Sequence, residues 1–264
     1  MDLQFDGKRA LVTGSTAGNG FAIAALLARE GAHVAVNGRT DERVFSAIER
    51  IRAEAATTNV HGVAADLGSA AGAERLIAAV PDVDILVNNV GIFEPKPFET
   101  IPDAEWLRFF EVNVMSGVRL SRHYLPRMKE KNWGRIIFIS SESAVNIPAE
   151  MIHYGMTKSA QISVARGLAE TTVGTGVTVN SVLPGPTRSE GVVTFVEQLA
   201  KEQGLTFQEM EKQFFETTRP TSLLKRFSDP REVAALVVYV CSPLSSATNG
   251  AALRVEGGVL RSMV

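Results

Sequence analysis

The sequence predicts an α/β fold in which one doubly wound sheet of seven mostly parallel strands carries helices on both faces. Short β-branched runs alternate with segments of helical period from end to end, as in parallel strands joined by crossover helices. No gap between them is a Pro/Gly/Ser-rich linker long enough to divide the chain, so residues 1–264 read as a single domain. A chain of 264 residues is also long enough for one large core, since a domain of this size buries roughly 75% of its unfolded surface.

The first strand runs from Arg9 to Thr13 and ends in Thr13-Gly14-Ser15-Thr16-Ala17-Gly18-Asn19-Gly20, a glycine-rich turn opening a helix over 19–30. Missing side chains at such a turn let backbone N–H groups approach a pyrophosphate at the positive end of the helix. Glycines in strand-to-helix turns also serve backbone geometry alone. The second strand, His33 to Asn37, is followed by Gly38-Arg39-Thr40 and a helix over 41–56. An NAD-preferring site usually has a carboxylate here; Gly38 offers room instead, and the planar fork of Arg39 can pair with a ribose 2′-phosphate. NADP is favoured and NAD is possible, while Arg39 as an ordinary exposed arginine is the plain alternative.

The third strand, Val60 to Ala64, leads to Asp66-Leu67 and a helix over 69–79, and the fourth, Ile85 to Asn88, leads to Asn89-Val90-Gly91. Both polar ends fall at the carboxyl edge where such sheets bind ligands, although Asx turns alone would explain them. A long helical pattern over 103–131 carries Phe109, Phe110, Val112, Val114 and Met115 around Asn113, an oddly buried polar group that can anchor a water. The fifth strand, Arg135 to Ser140, delivers Ser141 next to a helix over 153–173. Within that helix Tyr154-Gly155-Met156-Thr157-Lys158 places a phenol and an ammonium on one face.

After the sixth strand, Val177 to Leu183, comes Pro184-Gly185, and then residues 189–222 insert two amphipathic helical stretches where a short connection is expected. The second stretch opens with the capping-box spacing Thr206-Phe207-Gln208-Glu209, and Phe207, Met210 and Phe214 form an apolar stripe. That stripe fits either a lid over substrate or a surface helix buried on its own core or a sister subunit. A helix over 229–241 and a last strand, Ala252 to Val255, complete the sheet.

Tyr154, Lys158, Ser141 and Asn113 together suit proton transfer. A phenol with an ordinary pKa near 10 is a poor acid–base group at neutral pH until a neighbouring cation favours its phenolate, the role read for Lys158. Ser141 can donate to a substrate oxygen as charge grows there, and Asn113 can link Lys158 to solvent. Each residue alone has an ordinary structural explanation; their joint spacing beside a cofactor turn points to catalysis.

Other function classes are disfavoured. Lys plus Arg total 27 against 29 Asp plus Glu, a net charge of −2, with no basic block for nucleic acid or acidic lipid. Cys241, the one cysteine, sits in an apolar run, and His33, His61, His123 and His153 show no metal spacing. His153 points away from Tyr154 by helical geometry, and Trp106 and Trp133 read as packing anchors. The start, residues 1–6, lacks signal-peptide character, and no run approaches the roughly 18 apolar residues of a membrane span. A cytoplasmic protein of a reducing compartment is expected.

Taken in order, Thr13-Gly14-x-x-x-Gly18-x-Gly20, Asn88-Asn89-x-Gly91, Asn113, Ser141, Tyr154-x-x-x-Lys158, Pro184-Gly185 and Val255-Glu256-Gly257-Gly258 resemble the short-chain dehydrogenase/reductase family from about Gly7 to Met263. The nearest flavour is that of 3-oxoacyl-thioester reductases and similar small carbonyl reductases. The resemblance implies a Rossmann-type fold, a nicotinamide cofactor and a homotetramer or homodimer. It implies cofactor contacts from Gly14, Ser15, Thr16, Gly18, Asn19, Gly20, Asp66, Leu67, Asn89, Gly91, Tyr154, Lys158, Pro184, Gly185, Thr187 and Ser189, with Lys158 on the ribose hydroxyls. Ser189 stands where a threonine often contacts the nicotinamide amide, and Ala17 lacks the basic side chain many NADP-dependent members carry. The insertion at 189–222 exceeds that of the acyl-carrier-protein reductases, which turns the expectation toward a bulkier or more apolar small carbonyl.

The leading expectation is NADPH-dependent reduction of a small carbonyl compound, reversible to alcohol oxidation. The alternatives are an NAD-dependent dehydrogenase of a polyol, sugar or steroid-like alcohol, and a dinucleotide-binding sensor that does not turn over.

Overall fold

The computed structural model describes residues 2–263; Met1, which opens the start read above, and Val264 lie outside the described residues. Seven strands form one sheet in the order β3-β2-β1-β4-β5-β6-β7. They are β1 (Arg9–Val12), β2 (His33–Gly38), β3 (Val60–Ala64), β4 (Ile85–Asn88), β5 (Gly134–Ile139), β6 (Val177–Pro184) and β7 (Ala252–Val255). Every pairing is parallel. Each predicted strand is present, with ends shifted by one residue at most.

Side chains alternate across the sheet with the period of two that strand geometry imposes. Ala10 and Val12 join a core with helices α1 (Gly18–Arg29), α2 (Asp41–Ala55) and α9 (Pro230–Cys241). Leu11 points the other way, into a core built with α3 (Ala70–Ala79), α5 (Ser116–Glu130) and α6 (Ile152–Glu170). Chain order reverses between β1 and β4, so the crevice beyond their carboxyl ends is the ligand position this topology provides.

The long helix expected over 103–131 is interrupted. It divides into α4 (Asp103–Phe110) and α5 by a widened π turn over Glu111–Met115. Asn113 lies in that turn, and its carbonyl accepts a hydrogen bond from Gln161 Nε2 at 2.6 Å, a tertiary partner that periodicity does not reveal. Farther on, α7 (Glu190–Gln203) and α8 (Phe207–Thr217) fill the insertion. The Thr206–Glu209 capping box forms as predicted. Met210 and Phe215 make a small core of their own with Val196, Ala200 and Phe227, against which Phe207 and Phe214 pack.

Cys241 is fully buried, and burial pushes its thiol up to about 12. Among the described residues no helix is long and apolar enough to cross a membrane, and no group of three His, Cys, Asp or Glu side chains is arranged to hold a metal ion.

Candidate active site

Gly14 (φ 59) and Gly18 (φ 56) adopt the left-handed backbone that favours glycine. A Cβ on Gly14 would press on Val90 Cγ2 at 3.2 Å, and one on Gly20 would overlap the Gly14 carbonyl. The turn is held from behind by polar side chains. Asn89 Nδ2 donates to Thr13 O at 2.9 Å and Gly14 O at 3.0 Å. Ser15, expected on the cofactor, is fully buried; its hydroxyl donates to Val12 O at 2.6 Å and accepts from Asn37 N at 3.0 Å, so its side chain belongs to the scaffold. Asn37, overlooked in the sequence, accepts from Gly14 N at 3.3 Å and donates to Val63 O and Ala65 O, both at 3.1 Å, joining the ends of three strands. A lone asparagine inside an otherwise apolar strand was its signal.

The front of the turn is left bare. Ala17 begins α1 with no side-chain cap and no acidic residue in the first turn, whereas Thr40, Ser69, Thr206 and Asp229 cap α2, α3, α8 and α9. Asn19 Oδ1 is buried with no hydrogen-bond partner among the described residues. Unpartnered amides at a positive helix end and a glycine cradle fit the phosphates of a dinucleotide, and the orphaned Asn19 oxygen, an acceptor, fits a hydroxyl or amide donor of the same ligand.

Arg39 is exposed at the end of β2. Gly38 beside it does not leave free room: a Cβ there would overlap Thr16 Cγ2 and approach Val44 Cγ2 at 3.1 Å, so the glycine accommodates packing. Asp66 Oδ1 accepts from Gly68 N at 3.0 Å in an Asx turn, and Leu67 is 2% exposed within the core, which leaves only its backbone at the edge. Thr187 Oγ1 donates to Gly185 O at 2.9 Å, while Ser189 caps α7 by accepting from Val192 N at 3.4 Å.

A cavity of about 490 Å³ lies between this edge and the α7–α8 pair. Its walls bring together Asn19, Asn89, Gly91, Pro184, Gly185, Thr187 and Ser189 with Ser141, Tyr154 and Lys158. Lys158 is 4% exposed and donates to Ile139 O at 2.8 Å and Gln161 Oε1 at 3.2 Å. Burial pulls its ammonium down to about 7. A side chain on Gly91 would sit 3.4 Å from that amine, so the glycine leaves it accessible.

Asn113 lies behind the cavity rather than on it. Its Oδ1 accepts from Ile92 N at 2.8 Å, and its Nδ2 donates to Ile92 O at 3.0 Å and Thr157 Oγ1 at 2.9 Å. The side chain expected to anchor a relay water is therefore committed as a bracket. What joins Asn113 to Lys158 is the Gln161 carboxamide, bonded to both. Gln161 follows Lys158 by one helical turn, a signal the sequence held but did not single out.

The phenol departs from expectation. Burial pushes Tyr154 well above the usual phenol range and the Glu142 charge adds to the rise, partly opposed by a hydrogen bond with Ser141 and by Arg219. Lys158 Nζ stands 5.6 Å from the Tyr154 ring centroid with its bonds directed to Ile139 and Gln161, so it does not offset the burial. A phenol held protonated suits an acid better than a base.

Three charged residues that sequence reasoning missed complete the cavity. Ser141 Oγ donates to Glu142 Oε2 at 2.5 Å, and Arg219, just beyond α8, donates Nε–H to Glu142 Oε1 at 3.0 Å and Nη1–H to Glu150 Oε1 at 3.2 Å. His153 is fully buried, with its ring 4.0 Å from that of Phe109 and 5.9 Å from that of Trp106, and it packs rather than reacts. Trp133 packs beneath the Lys8 and Arg135 cations.

Backbone ready for phosphate at the edge of a cavity that a proton-bearing phenol lines is what hydride transfer with a nicotinamide dinucleotide requires, which defines the class as a dinucleotide-dependent oxidoreductase. A short chain dehydrogenase family model matches residues 8–200. The chain is 52% identical over 263 residues to the uncharacterized oxidoreductase YvaG of Bacillus subtilis (strain 168), covering 100% of both. It is 32% identical to the 3-oxoacyl-(acyl-carrier-protein) reductase FabG of Aquifex aeolicus (strain VF5), over 98% of this chain and 100% of that one. The crystal structure of L-sorbose reductase from Gluconobacter frateurii, complexed with NADPH and L-sorbose, superposes with a TM-score of 0.94 at 30% identity over 100% of both chains. The chain belongs to the short-chain dehydrogenase/reductase family, oxidoreductases that act on CH–OH and C=O groups with NAD(P).

Proposed function

We propose that the protein reduces a small carbonyl compound with NADPH, reversibly, with Tyr154 as the proton donor. The observation that carries this reading is the convergence of Ser141, Tyr154 and Lys158 on one cavity that Asn19, from the bare glycine turn, also lines. A reduced nicotinamide supplies the hydride when bound. Tyr154, held protonated by burial, gives its proton to the carbonyl oxygen, and Ser141 donates a hydrogen bond to the same oxygen. Lys158 holds the cofactor ribose, and Asn113 keeps the Ile92 backbone and the start of α6 in place. The amides of the turn and of Asn19 take the phosphates, Arg39 takes the 2′-phosphate, and α7 with α8 closes over the substrate.

Screening NADPH oxidation over β-ketoacyl thioesters, diketones, quinones, ketosugars and cyclic ketones tests this reading. Turnover with at least one ketone class, lost in Tyr154→Phe while cofactor binding persists, supports it. A protein that binds NADPH and turns over none of them, with Tyr154→Phe unchanged, is a sensor instead.

A second reading, an NAD-dependent dehydrogenase of a polyol, sugar or steroid-like alcohol, is favoured by Asp41 and Glu42, exposed in the first turn of α2 just beyond Arg39. Carboxylates there suit ribose hydroxyls rather than a phosphate. The ratio of kcat/KM with NADPH and NADH at fixed substrate decides between them. The family resemblance further supports assembly as a homotetramer or homodimer; sedimentation of the full chain checks it, and a monomer overturns it.

A further inference from the structure

The polar end of the cavity is built unlike the rest of it. The wall contributed by α7, α8 and the segment beyond is apolar, with Val196, Leu199, Met210 and Phe227 on the lining. Against it stand two carboxylates and a guanidinium beside the reacting serine: Glu142 and Arg219, 4% and 7% exposed, and Glu150. Burying charge is costly unless partners satisfy it, so an ion pair at this position calls for a reason beyond stability.

The hydrogen-bond inventory of Arg219 supplies one. A guanidinium has five N–H donors. Nε serves Glu142, and the two on Nη1 serve Glu150 and Thr218 O at 2.9 Å. Nη2 makes no hydrogen bond among the described residues, although the side chain is only 9% exposed. Glu142 is equally specific: its Oε2 accepts from Ser141 Oγ at 2.5 Å, Ser143 N at 2.8 Å and Ser143 Oγ at 3.1 Å. The one O–H of Ser141 is therefore turned toward Glu142, away from the role of donor to a substrate oxygen.

We propose that Arg219, Glu142 and Glu150 read a hydroxyl group next to the substrate carbonyl, so that the preferred substrate is a neutral α-hydroxyketone and its product a vicinal diol. The inference rests on the carbonyl-reductase reading and specifies its substrate class. The substrate hydroxyl donates to Glu142 in place of Ser141 and accepts from Arg219 Nη2. Ser141, released, turns its O–H to the carbonyl oxygen. Oxygens on adjacent carbons lie about 2.7 Å apart, an ordinary hydrogen-bonding separation. They can thus replace the Ser141–Glu142 contact without moving either residue far. The carbonyl carbon then takes the hydride and the oxygen takes the Tyr154 proton, which converts C=O to CH–OH. A plain ketone has no donor to exchange with Ser141. An α-keto acid brings a negative charge to an end where two carboxylates face one guanidinium. Both are poorer substrates.

The test uses the full chain with NADPH and three compounds of one carbon skeleton: a ketone, its α-hydroxy derivative and the corresponding α-keto acid. The hydroxyketone is expected to exceed each of the others by about tenfold or more in kcat/KM, the worth of one good hydrogen bond to a charged group. Glu142→Gln is expected to collapse the hydroxyketone-to-ketone ratio toward one. Arg219→Lys is expected to raise KM for the hydroxyketone alone. Calorimetry of the hydroxyketone with the oxidised cofactor should show binding that Glu142→Gln weakens. If the ketone or keto acid is reduced as well as the hydroxyketone, this inference fails and the carbonyl-reductase reading stands. If none of the three is reduced while another ketone of the wider screen is, this inference fails alone; if a protein that binds NADPH reduces no ketone at all, the carbonyl-reductase reading falls with it. Wild-type ratios decide the matter even where a variant fails to fold.

Discussion

The two walls of the cavity recognise ligands by opposite means. At the glycine turn, Ser15, Asn37 and Asn89 turn their polar atoms inward to fix strand ends, and what is left to face a phosphate is backbone. On the substrate side, Glu142 and Arg219 are buried charges aligned on each other and on the serine that faces the cavity. A ligand shared by many reactions can be held by geometry alone, whereas one that must be told from its neighbours needs side chains of chosen charge.

Several substitutions break or sharpen that contrast. The largest effect belongs to the proposed proton donor: Tyr154→Phe should lower kcat by about 10²–10⁴-fold and leave NADPH affinity near wild type by fluorescence titration. Asn37→Ala strips partners from Gly14 N, Val63 O and Ala65 O. It should cost about 3 kcal/mol of stability, seen as a lower melting midpoint that saturating NADPH partly restores. Arg39→Asp should reduce the NADPH-to-NADH ratio in kcat/KM by about 10–100-fold; an unchanged ratio removes Arg39 from the site.

The smallest effect concerns Gln161. Lys158, lowered to about 7 by burial, is an ammonium below that pH and a neutral amine above it. Cofactor affinity that depends on the charge should fall as pH rises through that value. Gln161→Leu removes an acceptor that favours the charged form, so the fall should move to lower pH, with kcat/KM at neutral pH down by about two- to tenfold. A profile that keeps its position restricts Gln161 to packing.

The strands were legible because the sheet repeats one alternation seven times, and the meeting of Tyr154 and Lys158 on one cavity because they share a helix one turn apart. The break in the helix over 103–131 was not legible, since a carboxamide from α6 decides it by claiming the Asn113 carbonyl. Gly38 misled for a related reason: a glycine in a sequence shows a missing side chain but not that Thr16 fills the space. Glu142 and Arg219 are far apart in sequence and meet only when the α8 segment folds over the end of β5, so no local spacing could pair them. The acidity expected of Tyr154 failed because spacing fixes which face a lysine is on and says nothing of how deeply the pair is buried.

The uncapped start of α1 has a consequence for the lifetime of the protein. Five helices carry a capping side chain of their own, Ser189 of α7 among them, while this one, at the cavity edge, waits for an outside anion to complete its first turn. A dinucleotide at a hundred times its dissociation constant adds about 2.7 kcal/mol to the folded state. Endurance against heat and proteases should therefore follow the supply of cofactor, so that the same chain wears out faster in a starved cell than in a well-fed one.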